Sequence, residues 1–255
     1  MIYERKGDPE IAALFGDWQE TMIWSCLQGV MGRLYADADG TPESAMAILG
    51  DFCFFAGKPS AELVSYKPDW CVQDFIIMTA CAPDWFEVIE AVYGERAKKV
   101  SRYAFRKDPD AFDQASLRAF AEAVPEGYAL RMIDREFFDR CQAQDWSRDF
   151  VSLFDGYEQY EEYGLGVVAL QGGEIVAGAS SYSSYLGGIE IEIDTEAEHR
   201  RRGLATACAA RLMLECRNRG LYPSWDAQNL WSVALAKKLG YQFDHEYTAY
   251  EIKGY

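Results

Sequence analysis

The stretch GIEIEIDTEAEHRRRGLATACAARLMLECRNRG, Gly188 to Gly220, decides how this chain is read. Its first part alternates Ile189, Ile191 and Ile193 with Glu190, Glu192 and Asp194. That period of two puts three branched side chains on one face of a strand and three carboxylates on the other. Its last part carries Leu204, Cys208, Leu212 and Cys216 at i, i+4 spacing, which predicts a helix over Leu204 to Arg219 with Gly220 as its stop signal. Between strand and helix stands Arg200-Arg201-Arg202-Gly203-Leu204-Ala205. A helix N-terminus offers unpaired N–H groups and the positive end of the helix dipole, and a glycine there lets ligand oxygens approach the main chain. Arginines at the same corner add charge-assisted donors. The ligand this chemistry suits is a di- or polyphosphate. Neither G-x-x-x-x-G-K-[ST] nor G-x-G-x-x-G occurs, so the two commonest phosphate-binding motifs are excluded.

Downstream, Leu221 to Trp225 reads as a short strand. Asn229 is a good cap for a helix with Trp231, Leu235 and Leu239 on one stripe, closed by Gly240, and Tyr241 to Ile252 finishes as one long or bent strand. Upstream, a helix around Leu117 to Ala123 precedes a strand at Tyr128 to Ile133, then helices at Arg135 to Gln144 and Arg148 to Tyr160. Leu165 to Leu170 and Glu174 to Tyr182 are strands joined at Gln171-Gly172-Gly173. Further back, Asp8 to Val30 has helical spacing throughout, and Gly32 to Ala36 and Met46 to Ala56 read as strands around the turn residues 37–42. Phe75 to Ala80 is a buried strand, Pro83 to Tyr93 a helix begun by proline, and Val100 to Arg106 a strand. This first part is mixed α and β and carries no ligand-binding motif. The polar break Lys107-Asp108-Pro109-Asp110 suggests two domains, 1–110 and 113–255.

Charge supports that organisation. The 255 residues hold 41 acidic and 25 basic side chains, a formal net charge of −16. An acidic surface repels phosphate backbones, so general nucleic-acid binding is not expected. No window approaches the ~20 apolar residues of a membrane span, and the opening MIYERKGDPE lacks the apolar core of a signal peptide. The seven cysteines are scattered without a C-x-x-C pair, which suits a reduced, cytoplasmic protein, and with only two histidines no metal site is expected. From Val151 to His199 there are ten acids and no Lys or Arg; Arg200, Arg201 and Arg202 then reverse the sign where strand meets helix.

The residues from Ile191 to Tyr241 resemble the cofactor core of the GNAT acetyltransferases. RRRGLA, Arg200 to Ala205, matches that family's Q/R-x-x-G-x-G/A pyrophosphate loop, and Asn229-x-x-Ser232-x-x-Leu235-x-x-Lys238-Leu239-Gly240-Tyr241 matches its Asn-led helix and G-F/Y ending. The two motifs stand in the family's order, about 24 residues apart. The resemblance covers residues from about 113 to 255, and the wording SWDAQN within it is similar to a two-domain subgroup that includes the zwittermicin-resistance acetyltransferase. In that subgroup a degenerate GNAT-like half precedes the working half. The fold implied is α/β, an α+β mixed sheet of the acyl-CoA N-acyltransferase type.

The resemblance further implies an acetyl-CoA-dependent N-acetyltransferase in which a primary amine of a small molecule attacks the thioester directly. Two parallel strands, Gly188 to Thr195 and Leu221 to Trp225, would splay and admit the pantetheine arm, with Ile193 and Thr195 as main-chain partners. Pyrophosphate would rest on the amides of Arg202, Gly203, Leu204 and Ala205, with Arg200 and Arg201 beside it. The base is Glu192, or Asp194 through a water, because the attacking amine must be neutral. Many family members place a tyrosine after the leucine of the Asn-led helix; here that residue is Ala236, which leaves Ser232, Tyr222 or another tyrosine to protonate the thiolate, or no acid at all. Asn229 either bonds near the cofactor sulfur or serves as a plain cap. Trp225, Asp226 and the acidic aromatic run Tyr157 to Tyr163 are candidates for holding a cationic acceptor, against the alternative of a solvated helix packed by its tyrosines. A non-catalytic acetyl-CoA sensor or partner-binding module stays open because of Ala236, and a homodimer is among the assemblies open to the chain.

Overall fold

The computed structural model describes residues 1–255. The chain divides into two compact units, residues 1–102 with 246–255, and residues 103–245. The first unit contains β1 (Tyr3–Arg5), α1 (Pro9–Phe15), α2 (Thr21–Gln28), β2 (Arg33–Ala36), β3 (Ser44–Leu49), β4 (Phe52–Gly57), α3 (Ala61–Ser65), β5 (Phe75–Ala80), α4 (Asp84–Tyr93) and the larger part of β6 (Ala97–Phe105). The second contains α5 (Gln114–Glu122), β7 (Tyr128–Met132), α6 (Arg135–Gln142), α7 (Tyr157–Tyr163), β8 (Gly166–Gln171), β9 (Glu174–Tyr185), β10 (Gly188–Thr195), α8 (Leu204–Asn218), β11 (Tyr222–Ser224), β12 (Asp226–Ala227), α9 (Leu230–Leu239) and the start of β13 (Phe243–Lys253). The units part within β6, at residue 102, rather than at the polar break near residue 110, and the chain's last ten residues return to the first unit.

In the first unit the single helix expected over Asp8 to Val30 is two. Gly16 ends α1 at φ 61°, and Glu20 then caps α2 by accepting from the Met22 N–H. Periodicity continues across the break because both helices bury the same kind of face, while the glycine and the new cap stop the backbone ladder. The strand expected over Met46 to Ala56 is likewise two, β3 and β4, paired antiparallel from Ser44↔Gly57 to Leu49↔Phe52 around Gly50 and Asp51. Both are buried along almost their whole length, so the uniform apolar run hid the turn. Phe55 stacks on the fully buried Trp85 at 5.0 Å, which fixes α4 over this hairpin.

The second unit is a five-stranded sheet in the order β11-β10-β9-β8-β7. Every pair is antiparallel except β10 with β11. One face packs on α8, where Leu204, Cys208, Leu212 and Cys216 are at most 1% exposed against Val167, Ala179, Ile189 and Ile191. Burying one such leucine contributes roughly 2 kcal/mol. The other face packs on α6, a 3-10 turn at Arg148–Phe150 and α7. There Tyr160 Oη lies 2.9 Å from Ser180 Oγ, which donates to Phe150 C=O at 2.7 Å. The helix expected over Arg148 to Tyr160 is thus a 3-10 turn followed by the later helix α7, with Gly156 in extended backbone between them.

Candidate active site

The site begins with a strand that outruns its partner. β11 pairs with β10 only at Gly188↔Tyr222, Ile189↔Pro223 and Glu190↔Ser224. The chain then turns away, and Asp226 and Ala227 pair with Ala104 and Tyr103 of β6 instead. β10 continues to Thr195, held on its other side by β9, with a bulge between Glu190 and Ile191 that leaves Tyr182 of β9 as the extra residue. Beyond the bulge the phase of pairing follows from one bond, Glu196 N–H to Val176 C=O at 3.0 Å. Antiparallel residues alternate in the side to which their main chain points, so Asp194 and Glu192 face β9 while Ile191, Ile193 and Thr195 turn their N–H and C=O toward the opening.

Thr195 spends those groups locally. Its N–H donates to Asp194 Oδ1 at 2.6 Å and its C=O accepts from Arg200 Nε at 2.9 Å. Its hydroxyl Oγ1 is buried without a hydrogen-bond partner. Of the two main-chain partners expected here, Ile193 remains available and Ile191 joins it. By alternation the Thr195 side chain shares the strand face of Ile189 and Ile191, which packs on α8.

The turn from β10 to α8 has the geometry expected of an anion cradle. Arg201, at φ 60°, is the only non-glycine residue of the chain with positive φ, which costs roughly 1 kcal/mol. Gly203 follows at φ 84° and begins α8 without a side-chain cap. The first rung of the helix is Ala207 N–H to Gly203 C=O at 3.0 Å, so the N–H groups of Leu204, Ala205 and Thr206 lie ahead of the ladder. Left-handed residues so placed turn successive amides to one side, a concavity that suits phosphate oxygens. A Cβ built on Gly203 meets nothing within 4 Å, so the space beside this residue is open. Arg201 and Arg202 are exposed, while Arg200 folds back onto the strand end, 3.5 Å from Asp194 Oδ1. His199 braces the turn from beneath, its Nδ1 3.0 Å from Tyr128 Oη. A recess of about 520 Å³ lined by Gln144, Trp146, Gln171, Glu174 and His199 adjoins this brace, but its lining holds no arginine or lysine and suits no phosphate.

The carboxylates divide by position. Glu190, at the apex of the split, is only 5% exposed, and its charge adds to burial in pushing the Tyr185, Tyr222 and Tyr241 hydroxyls above the usual phenol range. Glu192 is half-buried beside the opening. Asp194 is engaged by Arg200 and by the Thr195 N–H. Glu190 was legible as a face-mate of Glu192, but its burial at the apex depends on where β11 stops.

Around α9 the structure rearranges the expected roles. Asn229 caps the helix, accepting from Ser232 N–H at 3.0 Å. Ser232 Oγ accepts from Trp225 Nε1 at 3.0 Å, which leaves its O–H to donate elsewhere. Ala236 is fully buried, so no side chain of a tyrosine's kind stands at that turn of the helix. Tyr222 lies at the closed end of the β10–β11 pairing and donates to Arg106 C=O at 3.1 Å. Trp225 is 3% exposed, its ring 5.3 Å from that of Tyr241, so it presents no face to an acceptor. The exposed indole is Trp231, at 87%: the buried face of α9 is Val233, Ala236 and Leu239, not the stripe that begins at Trp231. Asp226 is half-buried on β12. In α7, Tyr160 is a core residue and Glu158 pairs with Arg135 at 2.6 Å, so the helix is a solvated face packed by its tyrosine.

The family model described as GNAT acetyltransferase matches residues 12–250, and the chain belongs to the GNAT acetyltransferase family, whose activity is N-acetyl transfer. Among its relatives, a GCN5-related N-acetyltransferase-like protein from Streptococcus suis 89/1591 is 46% identical, with TM-score 0.90 over 95% of this chain and 97% of that one. An uncharacterised N-acetyltransferase, YdfB of Bacillus subtilis strain 168, is 26% identical over 96% of both chains. A tandem GNAT protein from the clavulanic acid biosynthesis pathway shares the fold at 11% identity, with TM-score 0.50 over 100% of this chain and 98% of that one.

Proposed function

We propose that the protein transfers the acetyl group of acetyl-CoA to a primary amine of a small molecule by direct attack. The observation that carries this reading is the open edge of β10 running into the Arg201–Gly203 turn. It offers a strip of main-chain amides and then a phosphate cradle, in the order in which CoA presents its pantetheine amides and its pyrophosphate. The orphaned Thr195 hydroxyl fits the same ligand. Bound acetyl-CoA supplies a thioester whose carbonyl accepts the amine. Ile191 and Ile193 hold the pantetheine arm through their main chains, and the amides of Gly203, Leu204 and Ala205 hold the pyrophosphate with Arg201 and Arg202. Glu192, half-buried beside the opening, takes the proton of the attacking amine. Ser232 donates its O–H toward the leaving thiolate. A thiol titrates near 8.5, so at neutral pH a hydrogen bond suffices where a tyrosine acid is missing.

The acceptor is a cationic amine with an apolar body, held by the acidic surroundings of β10 and by Trp231 in place of the buried Trp225. The full-length likeness to a tandem GNAT protein supports reading the first unit as a degenerate GNAT-like half. The two-domain subgroup similar to the zwittermicin-resistance acetyltransferase rests on the SWDAQN wording of the second unit. Seven free thiols support a cytoplasmic location. The test is calorimetric titration with acetyl-CoA followed by thiol release with a panel of primary amines. Binding and turnover are expected. No binding at high micromolar acetyl-CoA overturns the proposal, and binding without thiol release from any amine favours a sensor.

A further inference from the structure

Lys238 stands in the α9 motif without an assigned role, and the fold carries it to the first turn of α8. Its Nζ is 3.4 Å from Thr206 Oγ1, and 5.1 Å from the centroid of the Phe120 ring on α5. Thr206 is the third residue of α8 and only 8% exposed. A helix rises 1.5 Å per residue, so the ammonium sits within about one turn of the amides of Gly203 to Thr206.

This is an unfavourable place for a cation in the empty protein. The N-terminal end of a helix carries the positive end of its dipole, where ammonium groups are destabilising. Arg200, Arg201 and Arg202 crowd the same corner. Yet in a chain with 41 acidic side chains Lys238 is held by a hydroxyl and a ring face rather than by a carboxylate. No carboxylate is paired with it, so its charge is free to meet an incoming anion. The buried, partnerless Thr195 Oγ1 on the strand side points independently to a missing ligand at this corner. An ammonium on a flexible stem acts as a point charge toward phosphate and needs no fixed fork geometry.

We propose that Lys238 binds the pyrophosphate of the cofactor from α9, so that the phosphate site has two walls, the amides and arginines of the β10–α8 turn and the Lys238–Thr206 pair. This rests on the acetyl-CoA reading above.

Calorimetric affinities of the full chain for CoA, dephospho-CoA and pantetheine, measured for the native protein, Lys238→Met and Lys238→Arg, test it. Lys238→Met is expected to weaken CoA and dephospho-CoA by the same factor, roughly tenfold, equivalent to one charge-assisted contact. Pantetheine affinity is expected to stay unchanged, and Lys238→Arg to restore most of the loss. Loss confined to CoA would place Lys238 at the ribose phosphate and overturn the assignment. Equal loss for pantetheine would make its role structural, and no loss at all would also refute it. Failure of the native protein to bind CoA or dephospho-CoA would instead remove the acetyl-CoA reading itself. Lys238 is exposed, so both variants are expected to fold, which a thermal melt checks.

Discussion

Arg201 and Gly203 set the backbone of the site, and Arg201 carries its local strain. Both hold positive φ in the turn between β10 and α8. Gly203→Glu adds a Cβ to a left-handed backbone and a carboxylate to an anion site. It is expected to abolish acetyl-CoA binding while the chain stays folded; calorimetry and circular dichroism on one sample check both, and unchanged affinity would refute the loop assignment. Glu192→Gln is expected to lower kcat by roughly 10²- to 10⁴-fold with little change in acetyl-CoA affinity, and to remove the acid limb of the pH–rate profile. A kcat within a factor of two of native would move the base to another group, Glu190 first. The two tryptophans make a sharper contrast. Trp225→Ala empties part of the core and is expected to cost about 3–5 kcal/mol, whereas Trp231→Ala removes an exposed ring and should leave the melting temperature unchanged while raising KM for the amine. Nothing local distinguishes them, since each has a serine as one of its two neighbours; Trp225 is buried between β11 and β12 against Tyr241, while Trp231 lies on the face of α9 opposite Val233, Ala236 and Leu239.

At the scale of elements, the strand β10 and the helix α8 were legible almost to the residue, because alternation, i, i+4 spacing and a closing glycine are each local signals. The breaks were not. α1 and α2 share a helical period across Gly16, and β3 and β4 share an apolar run across Gly50, so the pattern persisted where the backbone turned. The cap of α9 provides a test. Asn229 accepts from Ser232 N–H, and Asn229→Ala is expected to cost about 1 kcal/mol, seen as a melting temperature lower by a few degrees. An unchanged melt would show that Asn229 is kept for the cofactor rather than for the helix. The split between β10 and β11 is a property of neither strand alone. It arises because Asp226 and Ala227 find a partner in β6, more than a hundred residues earlier in the chain.

Across the whole molecule the excess of acid is unevenly placed, and the buried thiols set the response to pH. Burial pushes Cys26, Cys141, Cys208 and Cys216 up to about 12, and Cys53 well above its ordinary value. A group whose folded pKa is raised stabilises fully below its unfolded pKa and loses that contribution as pH rises toward the folded one. The unfolded thiol titrates near 9.0, so stability is expected to be flat below about pH 8 and to fall steadily from pH 9 upward. Each thiol adds up to about 1.4 kcal/mol per pH unit to that slope. Melting temperatures from pH 7 to 10.5 under reducing conditions check it, and a flat profile would mean that these thiols are solvated.

By itself the sequence determined the strand–turn–helix with its basic turn, the Asn-led helix, the sign reversal at Arg200 and the family, because each is written in neighbouring residues whose period, cap or charge acts over a few ångströms. Only the tertiary structure decided which main-chain groups of β10 stay open, that the Thr195 backbone is engaged locally while its hydroxyl is left unpaired, that Trp225 is core and Trp231 surface, and that Lys238 reaches α8. Those outcomes depend on where one strand stops pairing and which helix face is buried, and both are settled by contacts between segments far apart in the chain.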